Sequence, residues 1–337
     1  MTPLQFYTQL ISYTQKVERW CVASVVHTRG STPRKKGAQM AVALDQSGKL
    51  IAPIASIGGG AGEAKVLRAA AALLRLPSVA QETLEIDLSG QAGLGAAATS
   101  GVCGGHMRLC LSSFNGADLH HRAQAISADL KIGRTAIINA TTLLPDAPSA
   151  RESLCFSPAP MCLIGGGGHC GVALAELLVR LGFPVAVIDE RDEVFGCTLS
   201  TDLEIIAYSD WASAGREAKT YQSNGAPAAM AILLSRSYSH DLTALNAIAQ
   251  SEVEFSLIGM MGSTRRIRLV RQQLGEFPAA LLAVLKAPIG LPIGAETPSE
   301  IAVSIAAELL SLRRTLGASK LISKKEFPAF ESTVSLS

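Results

Sequence analysis

Short apolar runs alternate with longer amphipathic stretches along this chain, and glycine clusters stand at the joins. The alternation is sharpest over residues 163–191, LIGGGGHCGVALAELLVRLGFPVAVIDER. An apolar run reads as a strand, the glycines as a turn, the 3.6-periodic stretch as a helix and the second apolar run as another strand that ends on an acid. Gly166, Gly168 and Gly171 fit G-x-G-x-x-G, and Asp189 closes the second strand, where dinucleotide folds hold ribose hydroxyls. Glycines let the backbone turn tightly and approach a pyrophosphate, whose charge is met by the unpaired N–H groups and positive end of the new helix. The same residues also fit a doubly wound fold whose cradle is empty or serves another anion, with Asp189 and Arg191 solvating a strand end.

Further on, PAAMAILLS (227–235) and VEFSLIGM (253–260) read as strands between helical stretches, as a parallel sheet requires. Gly259, Gly262, Ser263, Arg265 and Arg266 form a second strand-to-helix turn, read either as a phosphate site or as a capped helix start with solvated arginines. TPSE (297–300) predicts an N-cap at Thr297, Pro298 at the first helical position and a capping box closed by Glu300. That helix is expected over 298–314, with Gly317 ending it.

The first third has a different rhythm. CVASVVHT (21–28) and AQMAVALD (38–45) read as paired strands joined by RGSTPRKKG (29–37), a tip carrying Arg29, Arg34, Lys35 and Lys36. Basic residues around glycines suit an anion, and equally a solvated turn. Next, a strand runs into Gly58, Gly59, Gly60 and Gly62 and then a helix opened by Glu63, an acid with a catalytic reading and an equally good one as partner of the helix dipole. In SGVCGGHMRLCL (100–111), Cys103 lies before Gly104 and Gly105. Beside the basic tip its thiolate would be favoured for sulfur or soft-metal chemistry; away from it, it is a packing cysteine.

At 337 residues, 48% of them hydrophobic and 17% charged, the chain can bury an ample core and is expected to divide in two. The fold class is α/β: a smaller α/β domain over 1–140, a proline-marked linker over 141–158, a Rossmann-type parallel-sheet domain over 159–320 and a tail over 321–337. A net charge of +2 and 5% aromatics give no general reason to bind nucleic acid. No apolar run is long enough to span a bilayer, and the N-terminus lacks a signal-peptide pattern, so a cytoplasmic location is expected. The seven cysteines are scattered, without C-x-x-C spacing or histidines at zinc-like intervals, so reduced thiols and no structural metal are expected.

Taken in order, GSTPRKKGAQM, SIGGGAGE, GVCGGHM, GGGHCG with DER, IGMMGSTRR and APIGLPIGAETPSEIAVSIAAELL resemble the XdhC/CoxI family of molybdenum-hydroxylase accessory proteins. The resemblance implies a maturation factor, a chaperone that binds rather than turns over. Its cargo would be molybdenum cofactor, as molybdopterin or its cytosine dinucleotide form. It would assist sulfuration and deliver the cofactor to a xanthine dehydrogenase or aldehyde oxidoreductase type enzyme. A molybdenum hydroxylase client and a cysteine desulfurase or sulfurtransferase are the implied partners, and a homodimer is expected from the prevalence of twofold assemblies. Carried over by position, Glu63 and Cys103 take the catalytic roles and Gly58, Gly59, Gly60, Gly104 and Gly105 the cofactor surface. Gly166, Gly168, Gly171, Asp189, Arg191, Gly262 and Ser263 belong to the nucleotide-type site. Two departures stand out. Ala61 lies where many relatives carry cysteine or histidine, so Cys103 acts alone. LLSRSYSHD (233–241) has Ser235, Arg236 and Tyr238 where the family often has T-H-x-H, and His240 does not restore that spacing. An NAD(P)-dependent oxidoreductase is the competing reading, since the same motif and Asp189 serve NAD; it lacks a recognisable hydride-transfer acid/base set.

Overall fold

The computed structural model describes residues 1–88, 104–147, 151–191, 203–275 and 277–322, with 315–322 as backbone alone. The chain divides into two compact units, Met1–Ala159 with Arg216–Ala228, and Pro160–Gly215 with Ala229–Ser337.

The first unit is organised by a strand that is apolar on both faces. Alternate side chains of β1 (Arg19–Arg29) point to opposite sides of the sheet. Trp20 and Val22 join one buried cluster and Cys21, Ala23 and Val25 the other. β1 pairs antiparallel with β2 (Gln39–Ala43) and with β4 (His106–Asn115), and β3 (Gln81–Asp87) pairs with β4, giving the order β2-β1-β4-β3. Helix α2 (Gly60–Arg75) covers one face with Val66, Ala70, Leu73 and Leu74. Helices α1 (Pro3–Thr14) and α3 (Gly116–Lys131) cover the other with Phe6, Tyr7, Leu10, Leu119 and Ile126. The buried Gln39 amide accepts from the Tyr7 hydroxyl at 2.8 Å and donates to Ser24 Oγ at 2.9 Å, so this polar insertion in the core is satisfied.

The described parts of 141–158, expected as a linker, are built into this unit. Strand β6 (Ser153–Phe156) pairs antiparallel with β5 (Ala136–Asn139), and Leu143, Leu154 and Phe156 enter the same core as α1 and α3. Pro145 and Pro158 flank the short apolar run SLCF without interrupting it, so its backbone is free to pair and its burial outweighs the turn character of its neighbours.

The second unit carries six parallel strands. In chain order β7 (Cys162–Gly165) leads through α4 (His169–Arg180) to β8 (Val185–Ile188), and β9 (Ile205–Tyr208) leads through α5 (Trp211–Ser223) to β10 (Ala229–Leu233). Then come α6 (Tyr238–Gln250), β11 (Phe255–Met260), α7 (Thr264–Gln272), α8 (Ala279–Ala283), β12 (Leu285–Lys286) and α9 (Pro298–Ile322). The sheet order is β12-β11-β10-β7-β8-β9, which counted from β7 is the 3-2-1-4-5-6 order of dinucleotide folds. Central strands β7, β8 and β10 are buried along their whole length, which is why they read as unbroken apolar runs. The Rossmann-type parallel sheet with an α/β unit before it is therefore present as expected. Helix α9 starts with the predicted capping box, Glu300 N–H donating to Thr297 Oγ1 at 3.3 Å and Thr297 N–H to Glu300 Oε2 at 3.0 Å. It runs past Gly317 to Ile322, so that glycine does not end it. Arg313 lies 4.4 Å over the Phe183 ring and donates to the Leu181 carbonyl, tying α9 to the end of α4. Among the described residues no helix is long and apolar enough to cross a membrane. The predicted tail, 321–337, lies outside the described residues beyond 322.

Candidate functional site

In a 3-2-1-4-5-6 sheet the chain departs in opposite directions from β7 and β10, which opens a crevice at their carboxyl ends. A cavity of about 380 Å³ lies there, bounded by the β7–α4 turn and by the chain that follows β8, β9 and β10.

Three glycines shape its floor for three different reasons. Gly166 has φ +110, and a Cβ there would stand 2.8 Å from the Leu234 carbonyl oxygen. Gly171 lies so close beneath the turn that a Cβ would fall 1.8 Å from the Gly166 carbonyl oxygen, so the helix can approach the strand only without a side chain. Gly168 is ordinary in backbone, φ −72, and a Cβ would meet nothing within 4 Å. Open space over this middle glycine is what a ligand's phosphate occupies in such a fold. Helix α4 begins here with Gly168 as its N-cap, without a capping side chain and without an acid in its first turn. Its first N–H groups therefore point toward the cavity side as donors for an anion.

Asp189 ends β8 as expected, but its oxygens are engaged. Oδ2 accepts from the Gly167 amide at 2.8 Å and Arg191 Nη2 at 2.8 Å; Oδ1 accepts from Arg191 Nε at 2.9 Å and Arg191 N–H at 3.1 Å. The Arg191 guanidinium, helped by the Gly167 amide and opposed by burial, holds the Asp189 carboxyl down to about 2. A carboxylate offers about four lone-pair sites, and all are used. A ribose diol reaches Asp189 only by taking over positions that Arg191 holds.

The walls are apolar: Ile188, Ala212, Leu233, Leu234, Ala244 and Ala247, with Trp211 beside the floor. A Cβ on Gly165 would lie 2.6 Å from Trp211 Cζ2, so the indole packs directly over that glycine. The polar lining mixes acids and bases, Asp189, Glu190, Asp210 and Asp241 with Arg191, Arg236 and His240, and adds Ser209, Ser235 and Thr243.

Gly262 and Ser263 do not take part. Ser263 caps α7 by accepting from the Arg266 amide at 3.3 Å, and neither residue lines the cavity. Arg266 turns inward instead: it donates from Nε to Asp241 Oδ2 at 2.6 Å, from Nη1 to the Ser235 carbonyl at 2.8 Å and from Nη2 to Ser235 Oγ at 2.9 Å and the Ser237 carbonyl at 3.1 Å. Asp241 is fully buried, and an arginine within reach of a buried carboxylate pairs with it rather than with a solvent-exposed anion. Burial pushes the Asp241 carboxyl up, against Ser235 and Arg266, which stabilise its ionised form. The pair therefore braces the loop after β10.

In the first unit, the three segments picked out by their glycines come together. A Cβ on Gly105 would lie 2.1 Å from the Ser31 carbonyl oxygen, one on Gly30 would lie 3.2 Å from the Gly104 carbonyl oxygen, and one on Gly58 would lie 2.5 Å from Pro33 Cγ. Gly58, Gly59 and Gly60 all have positive φ, and their turn wraps an internal anion. Glu63 Oε2 accepts from Ser56 Oγ at 2.5 Å, from the Gly59 amide at 3.0 Å and from the Ile57 amide at 3.1 Å. Burial alone would raise the Glu63 carboxyl, but these hydrogen bonds outweigh it and hold the group below its ordinary value. Glu63 thus closes its own helix start. Arg34 is anchored to the Ser56 carbonyl at 3.2 Å. Cys103 lies outside the described residues. The expected thiols Cys21, Cys110 and Cys162 are buried and free, pushed up by burial to about 12, 11 and 12.

Residues 162–309 match the family model for the XdhC Rossmann domain, and residues 14–84 match that of the XdhC and CoxI family. The chain belongs to the XdhC and CoxI family. Among its curated relatives, the uncharacterized protein YqeB of Escherichia coli (strain K12) is 26% identical over 92% of this chain and 46% of its own length. A probable xanthine dehydrogenase subunit of Bacillus subtilis (strain 168) is 32% identical over 47% of this chain and 44% of its own. The chain thus spans under half the length of the curated relatives it matches. A crystal structure described as a xanthine dehydrogenase from Bacillus halodurans shares the fold at 21% identity, with a TM-score of 0.69 over 94% of this chain and 96% of that one.

Sequence reading of this XdhC and CoxI family chain overlooked Trp211 and Glu190 and took Arg236 only as a departure from the family pattern. Each lies within three residues of the end of a strand of the parallel sheet, the position from which an open α/β sheet lines its crevice, so strand ends were the available signal. Asp241 was overlooked for another reason, since only the tertiary structure shows that it is buried.

Proposed function

We propose that this family member is an accessory protein of molybdenum hydroxylases that holds the nucleotide or pyrophosphate portion of molybdenum cofactor in its Rossmann cradle. The observation that carries the reading is the cradle itself: an open middle glycine, an uncapped helix start and apolar walls, all at the switch point of the sheet. Those features fit a group with a pyrophosphate and a flat ring. Gly168 and the first amides of α4 would meet the phosphates, and Trp211, Ile188 and Leu234 would line the ring's surroundings. When bound, the cofactor supplies the molybdenum centre on which the client's hydroxylation chemistry runs; this chain binds, orients and shields. The names of the relatives support a xanthine dehydrogenase type client, and sulfuration would bring in a cysteine desulfurase or sulfurtransferase as a further partner.

The test is retention. Wild-type protein produced with molybdenum cofactor is expected to hold pterin and molybdenum, measured by pterin fluorescence and metal analysis, and Gly168→Asp to lose both. A Cβ at this position meets nothing, so the variant is expected to unfold at the wild-type midpoint while its carboxylate repels phosphate. Equal loading of the two proteins, or equal emptiness, overturns the reading. Emptiness together with tight NADH binding, read as a fluorescence change, favours the NAD(P) oxidoreductase instead.

A further inference from the structure

The cavity is bridged at its mouth by an ion pair that the proposed function leaves unused. Glu190 follows β8 and Arg236 and His240 follow β10, while the glycine turn of β7 lies between those two strands in the sheet. Glu190 Oε1 accepts from His240 Nε2 at 3.0 Å and from Arg236 Nη2 at 3.4 Å. All three residues line the cavity together with Gly166 and Gly168.

The bridge is weak where its support is strong. The side chains of Glu190 and Arg236 are 61% and 62% exposed, and exposed pairs contribute little to stability because water competes for both partners. Below it, the buried Arg266–Asp241 pair pins the carbonyls of Ser235 and Ser237, which fixes the backbone that presents Arg236 and His240. His240 is also held at Nδ1 by Ser237 Oγ at 2.5 Å. Cations on a rigid loop, paired to a readily displaced carboxylate across a phosphate cradle, are arranged for exchange of one anion for another.

We propose that Arg236 and His240 are phosphate-binding side chains of the cradle, held in reserve by Glu190, and that the pyrophosphate of a nucleotide diester takes Glu190's place. The proposal rests on the reading that the cradle takes a phosphate-bearing ligand. It assigns to Arg236 and His240 the task that the glycine motif leaves to backbone amides alone, and it makes Glu190 a built-in competitor.

The experiment is calorimetric titration of the full chain with ADP-ribose and with CDP-choline, two pyrophosphate diesters whose charge is constant across mildly acidic to mildly alkaline pH. Glu190→Gln is expected to bind about three- to tenfold more tightly than wild type and Arg236→Ala about tenfold more weakly. His240→Asn is also expected to bind more weakly than wild type. If wild type binds and Gly168→Asp does not, yet Glu190→Gln and Arg236→Ala match wild type, the exchange is wrong and the cradle reading stands. If neither probe binds wild type or Glu190→Gln, the cradle reading falls and takes the exchange with it.

Discussion

Two glycine runs at helix starts look alike in sequence and differ in what fills them; the strand expected before Gly58 is reduced to a single bridge at Ile54, while the second run follows β7. IGGGAGE (57–63) and GGGGHCG (165–171) each bring a glycine run to the start of a helix. The first turn of α2 contains Glu63, whose carboxylate folds back onto the Ile57 and Gly59 amides; the first turn of α4 contains no acid, and among the described residues nothing lies within 4 Å of where a Gly168 Cβ would stand. A glycine run therefore announces an anion site without saying whose anion. An acid within the following helical turn marks a site that the protein closes itself; its absence marks one left for a ligand.

The largest expected effect sharpens the contrast within the open turn. Gly171→Ala places a methyl group 1.8 Å from a backbone carbonyl that has no room to move. It should destabilise the second unit by at least about 3 kcal/mol, because overpacking at this distance displaces strand or helix. The two tryptophans allow the units to be followed separately in urea: Trp211 reports the second unit in a Trp20→Phe background, and Trp20 the first in a Trp211→Phe background. An unchanged Trp211 transition in Gly171→Ala would show that the close helix–strand approach is not obligatory.

Next comes the filled turn. Glu63→Ala should cost the first unit about 1–2 kcal/mol, the usual penalty for losing a cap and leaving amides unpaired. Added phosphate should recover part of that loss in the variant and do little for wild type. Equal phosphate stabilisation of both proteins would mean that Glu63 does not occupy the cradle.

A smaller effect concerns acid. The Asp189 carboxyl is held at about 2 in the folded protein, below its ordinary value of 3.8. A depressed folded-state value contributes stability above the unfolded value and loses it as pH falls through the folded one, so the contribution fades between about pH 4 and pH 2. Since solvent reaches the Arg191 side of the pair, it amounts to about 1 kcal/mol. Asp189→Asn should flatten that part of the acid limb of the Trp211 transition, and an unaltered limb would place the charge elsewhere. The smallest effect is Gly168→Ala, expected within about 0.5 kcal/mol of wild type, since its backbone is ordinary and its Cβ meets nothing. A large loss there would mean that the floor of the open turn is as crowded as that of Gly171.

Local signals carried much of the architecture. Apolar runs marked β1, β2, β7, β8, β10 and β11, the 3.6 period marked α4, and the capping box at Thr297 and Glu300 marked the start of α9. The run SLCF was misjudged as linker because flanking prolines raise the turn signal while burial against α1 and α3 is not a local property. The same holds for the site. Gly166, Gly168 and Gly171 were legible from spacing, yet the reasons for the three differ, and only the distances to neighbouring carbonyls distinguish an obligatory glycine from an open one. Gly262 and Ser263 had the composition of a phosphate turn, but the companion arginine, Arg266, is drawn inward by Asp241, twenty-five residues earlier in the chain.

The order of residues alone determined the two kinds of unit, the strand–turn–helix–strand device and the position of its acid, because hydrophobic period and glycine placement act within a few residues of themselves. Only the tertiary structure decided which anion sites are filled, which arginines are free to meet a ligand and which side chains gather at the crevice. Those outcomes depend on competition between groups brought together from distant strands, and a carboxylate's partner is chosen by distance and burial, neither of which a sequence position records.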